Sequence, residues 1–201
     1  MTNTNARKIF ILLALIWASC QDDAERKPPN GSSYAIPELF RDSTYQVLVE
    51  TSVGSTIPLS YDIEHGILDT VSDEFGDGAY LPYPVNSGFF PVKSKNTIKK
   101  IPVWILGKRL PEGTTLAVQL LGLVEYVDRN MARREWLVIP QEKKIQTIRS
   151  IRFRDFIILH DPLKFTFEYW LKNRHGIGSV SQIVWHDEEK AMALLQEEIN
   201  K

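Results

Sequence analysis

The stretch Leu81-Pro82-Tyr83-Pro84-Val85-Asn86-Ser87-Gly88-Phe89-Phe90-Pro91 lies near the middle of this 201-residue chain. Its prolines and its glycine exclude a helix and restrict several backbone angles. The two phenylalanines and Tyr83 supply apolar area for a core. A rigid aromatic segment with polar tips suits a pocket wall, because its polar atoms are held in place before a ligand arrives. A plain proline-rich corner between strands is the alternative.

Short strand patterns lie on both sides of this stretch. They are predicted at 45–50, 57–61, 67–71, 101–106, 115–127 (bent near Gly122), 136–139 and 180–185. Gly66 suits a hairpin turn that needs positive φ, and residues 128–134 are predicted as a loop. Helices are predicted at 161–173, with Asp161 as N-cap and Pro162 following, and near 187–200, with Asp187 as N-cap. Alternating strands joined by short turns suit an antiparallel barrel.

The central segment Tyr83-Pro84-Val85-Asn86-Ser87-Gly88-Phe89-Phe90-Pro91 resembles the Y-P-x-N-Y-G-[FY]-[IV]-P element of soluble, Mg-dependent inorganic pyrophosphatases. Residues 47–51, 113–123 and 136–140 resemble further segments of that family in the same order. The resemblance implies an α+β, mainly β fold over residues 41–201: an OB-like closed antiparallel β-barrel with C-terminal helices packed outside. It also implies a homo-oligomer.

The resemblance carries over only part of the family's active site. The three aspartates of the family's D-x-D-P-x-D motif fall on Thr97, Lys99 and Pro102. A later pair of metal aspartates falls on Asp128 and Arg133, and a nearby lysine falls on Glu135. Two further positions are occupied by Ser72 and Ser87, and the family's Tyr-Lys pair by Leu171-Lys172. The residues that remain family-equivalent are Glu50, Tyr83, Asp128 and Lys172.

This pattern disfavours a multi-metal site. Hard divalent cations need several oxygen ligands, and Asp128 is the one weak metal-ligand candidate left. Lys99 and Arg133 would repel cations but, with Lys172, are candidates to bind a phosphate-like anion. We therefore expect no cofactor and a degenerate family member without diphosphate hydrolysis. Thr97, Lys99, Pro102 and Arg133 are expected around one concavity with Asp128, Tyr83 and Glu50.

Two alternatives stay open. One is an Mg-dependent inorganic diphosphatase with a non-standard metal site, built from Asp128 and an acidic loop at Asp73, Glu74 and Asp77. The other is an OB-like domain that binds glycans or single-stranded nucleic acid, for which residues 93–100 and 143–154 supply basic side chains. Lys and Arg number 24 against 25 Asp and Glu, and this balance does not favour a nucleic acid partner.

The N-terminal segment has a different composition. Arg7 and Lys8 precede an apolar run, and small residues lead to Cys20, the single cysteine of the chain. This order predicts a lipoprotein signal peptide at 1–19, lipid attachment at Cys20 and a flexible tether over 20–40. Asp22 and Asp23 resemble an export tag of surface lipoproteins. The prediction is a bacterial envelope protein held to a membrane by the Cys20 lipid, with the outer membrane or cell surface favoured.

Overall fold

The computed structural model describes residues 33–71, 81–94, 97–149, 152–176 and 179–201. The strands in these ranges are β1 (Phe40–Arg41), β2 (Thr44–Thr51), β3 (Leu59–Asp62), β4 (Ile67–Thr70), β5 (Asn86–Ser94), β6 (Thr97–Ile105), β7 (Thr115–Asp128), β8 (Met131–Pro140) and β9 (Val180–His186). The helices are α1 (Phe153–Leu159), α2 (Asp161–Asn173) and α3 (Glu188–Ile199).

Five strands form a closed barrel in the order β2-β5-β6-β8-β7, and β7 pairs back with β2. The predicted OB-like, mainly β barrel with C-terminal helices is confirmed. Its purely antiparallel pairing is wrong, because β6 and β8 run parallel while the other barrel pairs are antiparallel. Parallel neighbours need a crossover connection, and here β7 lies between them in the chain.

The interior of the barrel is apolar. Each of the five strands alternates inward-facing residues such as Val47, Phe90, Val103, Leu120 and Val138, all fully or nearly fully buried. Helix α3 closes one end of this interior with its buried alanine and leucines at 191, 194 and 195. The indole Nε1 of Trp136 donates a hydrogen bond to the Ala191 carbonyl at 3.1 Å, which ties α3 to β8.

The outward-facing residues of the same strands are covered by two other layers. Helices α1 and α2 pack Phe156, Phe167 and Trp170 against Trp104 and its neighbours. The β3–β4 hairpin covers a smaller cluster at Leu48, Tyr61, Leu68 and Phe89. Burial on both faces explains the near-continuous hydrophobic character of the central strands. Across the described ranges, no helix combines the length and apolar character that a membrane span requires.

The central segment is largely a barrel strand and not a corner. Residues from Asn86 onward form β5, whose register with β6 is unbroken from Asn86↔Ile105 to Ser94↔Thr97. Pro91 is tolerated because the pairing of β5 with β2 reaches only Phe89, so the missing N–H breaks no ladder on that side. Gly88 is required by close packing, since a Cβ there would lie 2.0 Å from the Leu48 carbonyl oxygen.

The polar tip of that segment holds backbone together. Asn86 is fully buried, and its Oδ1 accepts hydrogen bonds from the amides of Val53 and Leu110 at 3.0 and 3.1 Å. Its Nδ2 donates to the Lys108 carbonyl at 2.9 Å. The side chain of Asn86 is therefore not free to contact a ligand, because its hydrogen-bonding groups are used by three loop backbones.

Other boundaries differ in smaller ways. The predicted loop at 128–134 is a two-residue turn at Arg129-Asn130, with φ of 49° and 67°, and β8 starts at Met131. Helix α1 was not predicted. Helix α2 begins at Asp161 itself, with His160 in the N-cap position. The turn at Gly66 (φ 69°) and the Asp187 cap of α3 are confirmed.

Candidate functional site

A cleft of about 910 Å³ lies where β6 diverges from the β7–β8 hairpin. Of the seven residues expected around one concavity, four line this cleft, namely Lys99, Pro102, Asp128 and Arg133. Its walls come from β6, the β7–β8 hairpin, β9, α3 and the residues that follow α2. Because strands present alternate residues to opposite faces, the cleft combines side chains from the outer face of the barrel with others from the side of α3.

The outer-face wall is organised by Arg174, the residue that follows α2. Its Nη2 donates to Asp128 Oδ2 at 3.2 Å and to the Tyr126 hydroxyl at 3.1 Å. The guanidinium also lies 4.9 Å from the Trp170 ring centre and 5.5 Å from the Tyr126 ring centre. Both members of the Asp128–Arg174 pair are close to nine-tenths buried, so the ion pair is shielded from water.

Glu135 lies next to this pair. Its Oε1 accepts a hydrogen bond from the Tyr126 hydroxyl at 3.2 Å, so Tyr126 connects Arg174 to Glu135. Burial raises the pKa of Glu135 to about 7, and the Glu50 carboxylate also raises it, against the lowering effect of Arg174, Tyr126 and Arg133. Burial likewise raises the pKa of Tyr126, which therefore keeps its proton. We call Tyr126, Asp128, Glu135 and Arg174 the outer-face network.

Glu50 is held by a different cation. The Nζ of Lys100 lies 2.9 Å from Glu50 Oε1 and also donates to Ser60 Oγ and to the Tyr61 carbonyl. The same carboxylate oxygen accepts from the Tyr61 amide at 2.7 Å. Glu50 therefore anchors the β3–β4 hairpin to β6, and its charge is already compensated.

The opposite face of the same strands carries a second set of charges. Lys99 pairs with Glu198 on α3, and Glu198 also contacts Arg134 and Lys201. Glu125 accepts from Arg134 Nε and interacts with His186 Nε2, both at 2.6 Å. We call Lys99, Glu125, Arg134, His186 and Glu198 the α3-side network.

The structure separates residues that the sequence predicted to lie together. Strand β6 is regular, so Thr97 and Lys99 point to one face and Pro102 to the other. Lys99 therefore reaches α3, while Asp128 belongs to the outer face. Arg133 is exposed at the rim, and Lys172 is exposed on α2 outside the residues that line the cleft. The anion-binding role of Lys99, Arg133 and Lys172 stays a prediction.

Tyr83 lies near the outer-face network without lining the cleft. Its ring packs on Trp170 with 4.9 Å between centres, and its backbone bonds to Ser55 and Gly54. Tyr83 also influences Arg174 electrostatically. Ser72 and the acidic loop residues Asp73, Glu74 and Asp77 fall outside the described ranges, as does Cys20.

The sequence analysis did not identify Arg174, Tyr126 or Lys100 as site residues. Arg174 was overlooked because the family pattern directed attention to Lys172, two positions earlier. Its spacing of four residues from Trp170 at the end of a helix was the available signal, since such a pair shares one face. Lys100 was treated as part of a basic run, although strand alternation predicts that it faces away from Lys99.

No family model and no curated protein matches this sequence. Solved structures do match. The inorganic pyrophosphatase of Neisseria gonorrhoeae aligns with a TM-score of 0.63 and 16% identity, covering 78% of this chain and 90% of that one. The inorganic pyrophosphatase of Helicobacter pylori aligns with a TM-score of 0.60 and 20% identity, covering 83% of this chain and 98% of that one. The inorganic pyrophosphatase of Schistosoma japonicum aligns with a TM-score of 0.66 and 16% identity, covering 86% of this chain and 72% of that one.

This chain has an inorganic pyrophosphatase-like fold. At these identities the likeness concerns the backbone architecture, so the side chains of the pyrophosphatase-like domain must be judged by their own contacts. The outer-face network and the Glu50–Lys100 pair lie on the face bordered by α2 and the β3–β4 hairpin.

The resemblance implies Mg²⁺, which would need carboxylate ligands from the pyrophosphatase-like domain. Among the described residues, no three Asp, Glu, His or Cys side chains are grouped so that they could hold a metal. Lys100 compensates Glu50, Arg174 compensates Asp128, and burial favours the neutral form of Glu135. A hard cation needs several free carboxylate or carbonyl oxygens, so this donor set does not fit Mg²⁺.

Proposed function

We propose that this chain is an envelope lipoprotein whose pyrophosphatase-like domain binds a small phosphate-like anion or a partner without hydrolysing diphosphate. The observation that carries the proposal is that two carboxylates of the site are each paired with a cationic side chain of the protein. Arg174 lies on Asp128 and Lys100 lies on Glu50, which are the two family-equivalent carboxylates that remain. A fixed cation offsets anionic charge, but it does not coordinate and acidify water as Mg²⁺ does.

The cleft also offers an exposed cation at its rim. Arg133 lines the cleft and its side chain is solvent-accessible, so its guanidinium can reach a ligand without breaking a buried contact. A charge-assisted hydrogen bond from such a group contributes about 1.5–3 kcal/mol when desolvated. Arg133 is therefore the first candidate for direct contact with an anion.

Phosphate release tests the catalytic part of the proposal. We expect residues 21–201 to release no phosphate from diphosphate above background at any Mg²⁺ concentration, assayed beside an active pyrophosphatase. Robust Mg-dependent turnover that disappears in an Asp128→Asn variant would instead establish the diphosphatase alternative. One observation favours that alternative: among the described residues, Asp128 Oδ1 is buried and has no hydrogen-bond partner.

Calorimetry with diphosphate, in the presence and absence of Mg²⁺, tests the binding part. We expect any binding to be insensitive to Mg²⁺ and to weaken with salt, because the contacts are ionic and partly exposed. An Arg133→Gln variant should bind more weakly, whereas Arg41→Gln, an exposed arginine on β1, should match the wild type. Equal affinity in both variants would exclude Arg133 as the contact.

Membrane attachment is a separate part of the proposal. The basic, apolar and small residues that precede Cys20 support acylation of its amino terminus and thiol. In a bacterial host, we expect a Cys20→Ala variant to lose the acyl group and to leave the membrane fraction. Wild-type protein that keeps residues 1–19, or that stays unacylated, would contradict lipid anchoring.

A further inference from the structure

Glu135 occupies a fixed position in the outer-face network. It pairs with Val124 across the β7–β8 ladder, and its side chain points to the face that carries Tyr126. The Tyr126 hydroxyl accepts from Arg174 and donates to Glu135, so a continuous hydrogen-bonded path joins the guanidinium to the carboxyl group. A change in the charge of Glu135 is therefore felt by the groups that line the cleft.

The charged groups around Glu135 come from several elements. Glu50 faces it from β2, Arg133 from β8 and Arg174 from the segment after α2, while Asp128 on β7 is joined through Arg174. Lys100 on β6 compensates Glu50. With Glu135 ionised, the three carboxylates of this set balance its three cations. When Glu135 is protonated, the set carries one net positive charge.

Proton binding at Glu135 falls in a range where small pH changes matter. Burial raises its pKa to about 7, so both charge states are populated near neutral pH. Arg133 and Arg174 stay charged throughout this range, and Tyr126 stays neutral because its own pKa is raised. His175 also lines the cleft and is the other side chain there whose ordinary pKa lies near this range.

We propose that Glu135 is a proton-dependent charge switch that sets how strongly the cleft holds an anion. Protonation removes a negative charge beside Arg133 and Arg174 and strengthens anion binding, whereas ionisation weakens it. The inference rests on the proposed anion binding at the same cleft. It assigns a regulatory role to the carboxyl group that stands where the resembling family has a lysine.

Sulfate is the appropriate probe, because it keeps its two negative charges while the protein titrates. Calorimetry on the full chain would measure sulfate affinity from about pH 5.5 to about pH 8.5. We expect the wild type to bind about tenfold more tightly at the acidic end, since one nearby unit charge is removed. Glu135→Gln should hold the tighter affinity across the range, apart from any residual effect of His175. The exposed Glu142→Gln should behave as the wild type.

Carbon-13 NMR of the glutamate carboxyl groups supplies an independent readout, with the Glu135 resonance assigned by its absence from the Glu135→Gln variant. Titration of that resonance near neutral pH, together with pH-dependent sulfate binding, supports the switch. If the Glu135 resonance titrates near the ordinary glutamate value, or if Glu135→Gln keeps the full pH dependence of sulfate binding, the switch is contradicted. The proposed anion binding is unaffected by either result. Absence of sulfate binding at every pH overturns the proposed anion binding and, with it, the switch.

Discussion

The outer-face network and the α3-side network lie on opposite faces of the same strands and use charge differently. In the outer-face network, Asp128 and Arg174 are shielded by Trp170 and Tyr126, and burial raises the pKa of Glu135 to about 7. In the α3-side network, hydrogen bonds from Lys201 and Lys99 lower the pKa of Glu198 to about 2. The pKa values of these two glutamates are therefore shifted in opposite directions, because one carboxyl group is desolvated and the other is surrounded by accessible cations.

The comparison has a functional consequence. An exposed ion-pair network is screened by salt and contributes little to stability, whereas a buried one is sensitive to the loss of either partner. The ion pairs of the α3-side network join α3 and β9 to the barrel strands, so we interpret this network as structural. The outer-face network holds Glu135, a carboxyl group whose pKa is raised to about 7 by burial, so the charge of this network depends on pH near neutrality.

The largest expected change in stability comes from breaking the buried Asp128–Arg174 ion pair. Asp128→Ala leaves Arg174 buried without its carboxylate, so we expect the free energy of unfolding to fall by about 3 kcal/mol. Denaturant unfolding at neutral pH measures this change. Asp69→Ala, an exposed aspartate on β4, should cost less than about 0.5 kcal/mol. A loss at Asp128 no larger than the loss at Asp69 would mean that the outer-face pair is as weak as a surface pair.

Glu135→Gln should change the free energy of unfolding less than Asp128→Ala does. Above neutral pH the change should be stabilising. The folded-state pKa of Glu135 is raised above its unfolded value, so its contribution to stability is full below about pH 4.5 and is lost as pH rises through about 7. We expect the variant to be more stable than the wild type at about pH 8.5, by on the order of 1 kcal/mol, and the two to converge at acidic pH. Thermal unfolding at several pH values tests this, and a constant difference across pH would contradict it.

Glu198→Gln should have the smallest effect. The folded-state pKa of Glu198 is lowered, so its stabilisation is present above about pH 4.5 and is lost as pH falls through about 2. Its partners Lys99 and Lys201 are more than a third exposed, so screening reduces the effect to about 0.5 kcal/mol at neutral pH. High salt should remove most of the difference in unfolding midpoint. If Glu198→Gln lowered the free energy of unfolding by more than about 2 kcal/mol at every salt concentration, the α3-side network would behave like a buried ion-pair network.

The sequence by itself determined the barrel and most of its strands. Alternation and β-branched content located β2, β4, β7 and β9, and Asp187 marked the start of α3, because these signals act over a few neighbouring residues. The central segment indicated the fold through its resemblance to the pyrophosphatase element. The structure adds that its Gly88 position can be occupied only by glycine, because a Cβ would clash with the Leu48 carbonyl. The replacement of the family's metal carboxylates by other residue types is a prediction from the resemblance alone, since it depends on how the residues of this chain align with the family's motif.

Tertiary structure decided which charges meet. The regular register of β6 separates Lys99 from Lys100 and sends one to Glu198 and the other to Glu50. Arg174 reaches Asp128, 46 positions earlier, only because α2 packs on the outer face of the barrel. Coulomb energies depend on distance and desolvation in space, and neither is encoded in sequence spacing. For that reason the fold followed from the sequence, while the balance of charge in the cleft required the folded chain.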